Sequence, residues 1–136
     1  MQGWTLACIF RRLASALLEE TGIPMEEETD ELTQVAFQVI LNAGDARNAL
    51  DEALDAAAEF RFDKVCQKIE EAEELITKAH NAQTGLIQRQ AAGERFTYSL
   101  LFVHAQDTLM TIDSEIHFMK RLLPTLEALH AAAINH

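Results

Sequence analysis

The sequence predicts an all-α protein, an antiparallel up-down-up three-helix bundle. Three observations carry that prediction. Apolar residues recur at three- and four-residue steps through most of the chain, the period of helices buried along one side. Glycine numbers 5 and proline 2, too little turn chemistry for a many-stranded sandwich or barrel. The connections between the periodic runs are short, which forces neighbouring helices to run antiparallel. With 136 residues, 49% of them hydrophobic, the chain makes one domain and buries roughly two-thirds of its unfolded surface.

Residues 1–28 stand apart as an N-terminal extension: an apolar stretch from Trp4 to Phe10, then Arg11-Arg12, a Gly22-Ile23-Pro24 break and Met25-Glu26-Glu27-Glu28. Pro24 disfavours helix at Ile23. Two readings stay open. Either Trp4 to Glu20 is a small amphipathic helix docked on the body, or the product begins at Met25 and the upstream segment is a flexible extension.

Residues 29–136 form the bundle domain. Thr29 is the expected N-cap of the first helix, with Asp30 and Glu31 in its first turn, where carboxylates complement the helix dipole. Leu32, Val35, Ala36, Val39, Ile40, Ala43, Leu50 and Leu54 then carry the helical period to about Ala58. A turn near Phe60-Arg61-Phe62 follows, without the glycine such a turn calls for, and Asp63 is the expected next cap. Val65, Ile69, Ala72, Leu75, Ile76, Ala79, Leu86 and Ile87 define a second helix to about Gln90. Gly93 is the stop signal before a loop. A third helix starts near Tyr98 and reaches Ala133, with a bend expected at Pro124.

The third helix has two apolar faces. Leu101, Ala105, Leu109, Ile112, Ile116, Met119 and Leu123 fall on one side and fill the core. Leu100, Val103, His104, Asp107, Met110, Thr111, Ser114 and Phe118 fall on a second side, more than a three-helix monomer needs to bury. Self-association through third helices around a common axis is the simplest cover. Asp107 lies in the middle of that face. If an axis passes beside it, identical carboxylates converge and a hard divalent cation is their natural neutraliser; from spacing alone, a solvated Asp at the edge of the face is the plainer reading. His104 lies one turn earlier, and a lone histidine among apolar residues is more often packed than reactive.

The net charge is −11, with 11 basic and 22 acidic residues, and a field of that sign repels nucleic acid and anionic lipid. Cys8 and Cys66 form no paired framework, which fits a reducing cytosol. The apolar stretch before Arg11 is far short of the roughly 20 residues a membrane span needs. A soluble, cytoplasmic protein without direct membrane insertion is expected.

The run Val103-His104-Ala105-Gln106-Asp107, continued by Leu109-Met110-Thr111, resembles the active-site segment of the lactose/cellobiose-specific enzyme IIA family of the bacterial sugar phosphotransferase system. Asn42-Ala43-Gly44-Asp45-Ala46-Arg47, the segment Ala79-His80-Asn81-Ala82-Gln83-Thr84-Gly85-Leu86 and Tyr98-Ser99 also agree with it, in order and spacing over about residues 30–130. The resemblance implies a homotrimeric phosphocarrier. His104, through Nε2, would accept a phosphoryl group from the histidine-containing phosphocarrier protein. It would pass that group to the cysteine of a IIB component, with a membrane IIC component taking up a lactose-, cellobiose- or chitobiose-type sugar. Asp107 would be the ligand of a divalent metal ion, Mg²⁺ by preference, shared at the trimer axis.

The chemistry suits the residues. A relay histidine attacks as neutral imidazole, available at cytosolic pH, and in-line displacement at phosphorus draws mostly on positioning and electrostatics. No Gly-rich phosphate loop is present, which fits a carrier and argues against an ATP-dependent kinase. Thr108 stands where many family members carry a second histidine. A regulatory or scaffolding bundle of the same fold that relays no phosphate is therefore the alternative reading.

Overall fold

The structure, a computed structural model, describes residues 27–135. The extension expected over residues 1–28 therefore lies outside the described residues up to Glu26, as does the alternative start at Met25. Three helices follow in order: α1 from Glu27–Ala58, α2 from Phe62–Ala91 and α3 from Leu100–Ile134. At 32, 30 and 35 residues, they are about 45–53 Å long at a rise of 1.5 Å per residue.

Ion pairs across the helices report the topology. Near the α1–α2 turn, Lys68 meets Glu52 at 2.9 Å; at the far end Arg89 meets Glu31 at 2.6 Å. That register requires antiparallel helices. Glu73 pairs with Lys120 of α3 at 2.5 Å, and Arg47 of α1 pairs with Glu115 of α3 at 2.8 Å. The bundle is up-down-up, with α1 and α3 running in the same direction.

The core lies along the shared axis. Val39, Val65, Leu109 and Ile112 are its largest fully buried side chains. The inner edge of α1 is built mainly from small residues: Ala36, Ala43, Ala46, Ala49, Ala53 and Ala56 are all buried. Small side chains let helix axes approach closely, and α1 packs most extensively against α2. Leu54 and Ile87 match the helical period, yet are 47% and 44% exposed, because each falls at the margin of its helix's buried stripe.

Both connections end their helices with the same hydrogen-bond pattern. After α2, Glu94 N–H donates to Arg89 C=O (3.1 Å) and Gly93 N–H to Gln90 C=O (3.0 Å). Gly93 sits at φ 102°, the left-handed position that this double-bonded cap requires. After α1, Arg61 N–H donates to Ala56 C=O (2.9 Å) and Phe60 N–H to Ala57 C=O (3.0 Å). Here the left-handed residue is Phe60, at φ 58°. The turn noted for its lack of a glycine thus forces a bulky residue into the glycine conformation.

The helix starts differ from those expected. α1 begins at Glu27, which places Thr29 inside the first turn. α2 has Arg61 as its N-cap residue, with no side-chain cap, and Asp63 lies in the first turn. There its carboxylate faces the positive end of the helix dipole without capping it. α3 is capped by Ser99, whose hydroxyl accepts from Phe102 N–H at 3.2 Å. Pro124 lies within α3, and helix continues beyond it for ten residues to Ile134.

Candidate functional site

α3 starts at the end of the bundle where α2 stops and α1 begins. The loop leading into it is tied down by Arg89. That guanidinium donates to Glu94 at 2.7 and 2.5 Å and to Glu31 at 2.6 Å, and lies 5.2 Å from the centre of the Phe96 ring. Hydrogen bonding to Glu94, and secondarily to Glu31, raises Arg89 above its ordinary value. The same bond to Arg89 holds the Glu94 carboxyl below the usual carboxylate range. Ser99 then turns the chain into α3, and His104 follows in its second turn.

His104 and Asp107 are both exposed, one turn apart on the same side of α3. The core side of the helix holds Ala105, Leu109, Ile112, Ile116 and Met119, all buried. The other side is bare in the single chain: Leu100 is 71%, Met110 52% and Phe118 66% exposed. Polar and apolar residues are layered along it. Leu100 and Val103 precede a largely polar band of His104, Asp107, Thr111 and Ser114, interrupted by Met110, and Phe118 and Leu129 follow it.

Two threonine hydroxyls sit on the backbone of this band. Thr108 donates to His104 C=O at 2.8 Å, and Thr111 to Asp107 C=O at 2.7 Å. Bonds of this type satisfy the hydroxyl within its own helix and can bend it slightly. The proton of Thr108 is therefore committed to main chain. Spacing alone does not reveal this pair of back-bonds, because Thr at such positions can equally point to solvent.

Asp107 supplies one carboxylate. Among the described residues no group of three or more His, Cys, Asp or Glu side chains is placed to hold a metal ion. A hard cation takes six or more oxygens, so one subunit offers only part of a donor set. Copies of Asp107 brought together would fit such an ion.

The remaining polar residues of the bundle fall elsewhere. His80 and Gln83 sit inside α2, well before its end at Ala91; Gln83 is 5% exposed, a buried polar side chain. Arg47 reaches across to α3, its Nε and Nη2 donating to the two carboxylate oxygens of Glu115 at 3.2 and 2.8 Å. It thus acts between helices. His117 is exposed on the flank of α3, and His130 stacks on Phe60 at the opposite end of the bundle from His104. Within the run from Glu70 to Glu74, Glu73 is half-buried and pairs with Lys120, while Glu70, Glu71 and Glu74 are exposed. Among the described residues no helix is long and apolar enough to cross a membrane.

Known proteins are similar to this chain in sequence and in fold. A family model described as "PTS system, Lactose/Cellobiose specific IIA subunit" matches residues 34–127. The lactose-specific EIIA component of Staphylococcus epidermidis is 46% identical over 94 residues, 69% of this chain and 90% of that one. The lichenan-specific phosphotransferase enzyme IIA component of Bacillus subtilis is 43% identical over 81 residues, 60% of this chain and 74% of that one. Among solved structures, PtcA from S. mutans superposes with a TM-score of 0.72 at 39% identity, covering 76% of this chain and 99% of its own. The cellobiose-specific enzyme IIA from Bacillus anthracis gives 0.70 at 34% identity, covering 79% and 94%. With the matched region spanning all three helices and including both His104 and Asp107, this chain belongs to the lactose/cellobiose-specific IIA family of the sugar phosphotransferase system.

Proposed function

We propose that the chain is a cytoplasmic phosphocarrier that relays a phosphoryl group through His104 during sugar uptake. The observation that carries this reading is the exposure of His104 on the uncovered face of α3, within the segment shared with the IIA family. The Nε2 lone pair attacks the phosphorus carried by the histidine-containing phosphocarrier protein. As the new P–N bond forms, the donor's P–N bond breaks and its electron pair returns to the donor imidazole. In the second step a thiolate of a IIB component attacks the same phosphorus, and Nε2 leaves with its pair. Both displacements need an exposed imidazole and an accessible line of attack. The sugar is of the lactose, cellobiose or chitobiose type; lactose and cellobiose appear in the names of the relatives.

The assembly belongs to the same reading. Leu100, Val103, Met110 and Phe118 lie on one side of one helix, and three such faces around an axis would cover them. Asp107 of each copy would then point to the axis, where a shared divalent cation such as Mg²⁺ would neutralise the converging carboxylates. Each polar band would place His104 near a neighbouring copy.

The test is phosphorylation from phosphoenolpyruvate through enzyme I and the phosphocarrier protein. An acid-labile, base-stable adduct of one phosphate per chain is expected, absent from His104→Ala. Label retained by that variant rejects His104 as the site. A natural chain that takes no label supports the regulatory bundle instead, a reading favoured by the commitment of the Thr108 hydroxyl to backbone.

A further inference from the structure

A groove of about 300 Å³ opens at the end of the bundle where α1 begins. Its apolar lining comes from Leu32, Leu86, Ile87, Phe96, Phe102 and Val103, with Tyr98 beside them and polar side chains such as Gln90 and Gln106 between. Several of these apolar groups remain wet: Ile87 is 44% and Tyr98 78% exposed. The groove lies beside the His104–Asp107 band: Val103 and Gln106, which flank those residues in the chain, line it, and His104 and Asp107 do not.

We propose that this groove is the seat of the chain's own N-terminal segment, entered by Trp4, Leu6, Ile9 and Phe10. Three observations argue for that occupant over a second copy or another protein. The first is position. Leu32 stands about 8 Å along α1 from Glu27 at 1.5 Å per residue, so residues 1–26 are attached at the mouth of the groove. The second is length. The residues between Phe10 and Glu27 span up to about 55 Å when extended, ample to fold back, and such a short tether holds its end at an effective concentration near millimolar. The S. mutans structure is matched over 99% of its length by only 76% of this chain, so this chain has polypeptide to spare beyond the shared fold. The third is charge. Residues 1–18 hold Arg11 and Arg12 and no acid, in a chain whose net charge is −11, so the segment is drawn to the body while its apolar residues supply the contact. The inference does not rest on phosphoryl transfer.

The sequence carries its own reporters: Trp4 is the single tryptophan and Tyr98 the single tyrosine. In the full chain, Trp4 emission should lie to the blue of the denatured protein and be quenched several-fold less by acrylamide. Excitation of Tyr98 should sensitise Trp4, a contribution lost in Tyr98→Phe. Ile87→Asp should return Trp4 to its solvent-exposed spectrum, whereas Leu54→Asp, at the other end of the bundle, should leave it unchanged; circular dichroism checks that both variants remain folded. A native Trp4 as quenchable as free indole, with no sensitisation from Tyr98, overturns the proposal without any variant. Loss of the shielded spectrum on dilution to the single subunit also overturns it, by assigning the groove to a second copy.

Discussion

The ring of Phe60 lies flat against the imidazole of His130, with centroids 4.1 Å apart and 15° between the planes. Phe62 closes the cluster, 6.4 Å from Phe60 and 5.7 Å from His130. The α1–α2 turn is thereby fastened to the last turns of α3. The contact also explains how a non-glycine residue persists at φ 58°: left-handed backbone costs a bulky residue about 1–2 kcal/mol, and a stacked aromatic pair returns about 0.5–1.5 kcal/mol.

Glycine and alanine should separate those two contributions at position 60. Phe60→Gly relieves the backbone and loses the stack, so its net effect on urea unfolding should fall within about 1 kcal/mol of zero. Phe60→Ala keeps the strain and loses the stack, so it should be the more destabilising of the two by about 1 kcal/mol. Equal stabilities would show that the backbone at this turn carries no strain.

The Arg47–Glu115 pair joins parallel helices, but its side chains are 38% and 43% exposed. Solvent screening limits such a pair, and a double-mutant cycle with Arg47→Met and Glu115→Gln should give a coupling of about 0.5–1 kcal/mol. The coupling should shrink in high salt. A value that is insensitive to salt would contradict the part-exposed geometry.

Acid should loosen the loop before α3 later than ordinary glutamate chemistry would suggest. Glu94 is held below the usual carboxylate range by Arg89. A depressed folded-state value stabilises the fold above the unfolded-state value of about 4.3, and that contribution is lost as pH falls through the lower folded value. The stability difference between the natural chain and Glu94→Gln should therefore be constant near neutrality, begin to fall at pH ~4 and vanish only in stronger acid, where the carboxyl is protonated in the folded chain as well. A difference that widens in acid would invert the sign and refute the assignment.

Asp107→Leu tests the axial arrangement directly. In the natural chain, chelation should release bound divalent ion and lower the mass of the assembly measured by sedimentation. The variant should bind no ion at the axis and keep the same mass with or without chelator, because its converging side chains no longer repel. Identical metal content and identical mass for both proteins would remove Asp107 from the axis.

Much of this was legible in the amino-acid pattern, and the boundary of legibility is physical. The inner positions of all three helices follow from period, because burial of a stripe is what produces the period. The two-faced character of α3 is legible for the same reason, and Leu100, Met110 and Phe118 are bare where that reading requires it. Gly93 is legible because its backbone state is nearly reserved for glycine. Phe60 breaks that rule through a partner in α3, 70 positions away, which no local window contains. Thr29 and Asp63 have cap chemistry, yet the helices begin before them. At the candidate site, His104 and Asp107 could be placed on one face by arithmetic, whereas the hydroxyl bonds of Thr108 and Thr111 depend on rotamers that composition does not determine.

The alanines along the inside of α1 limit how that helix can change. Trimming a methyl group there costs about 1 kcal/mol in helix propensity, and because Ala46 and Ala53 are fully buried, growing either to leucine would have to displace the side chains packed on it. Tolerance there is narrow in both directions: glycine slackens the rod itself, and any gain of bulk on that edge would have to be matched by a retreat on the surface it faces.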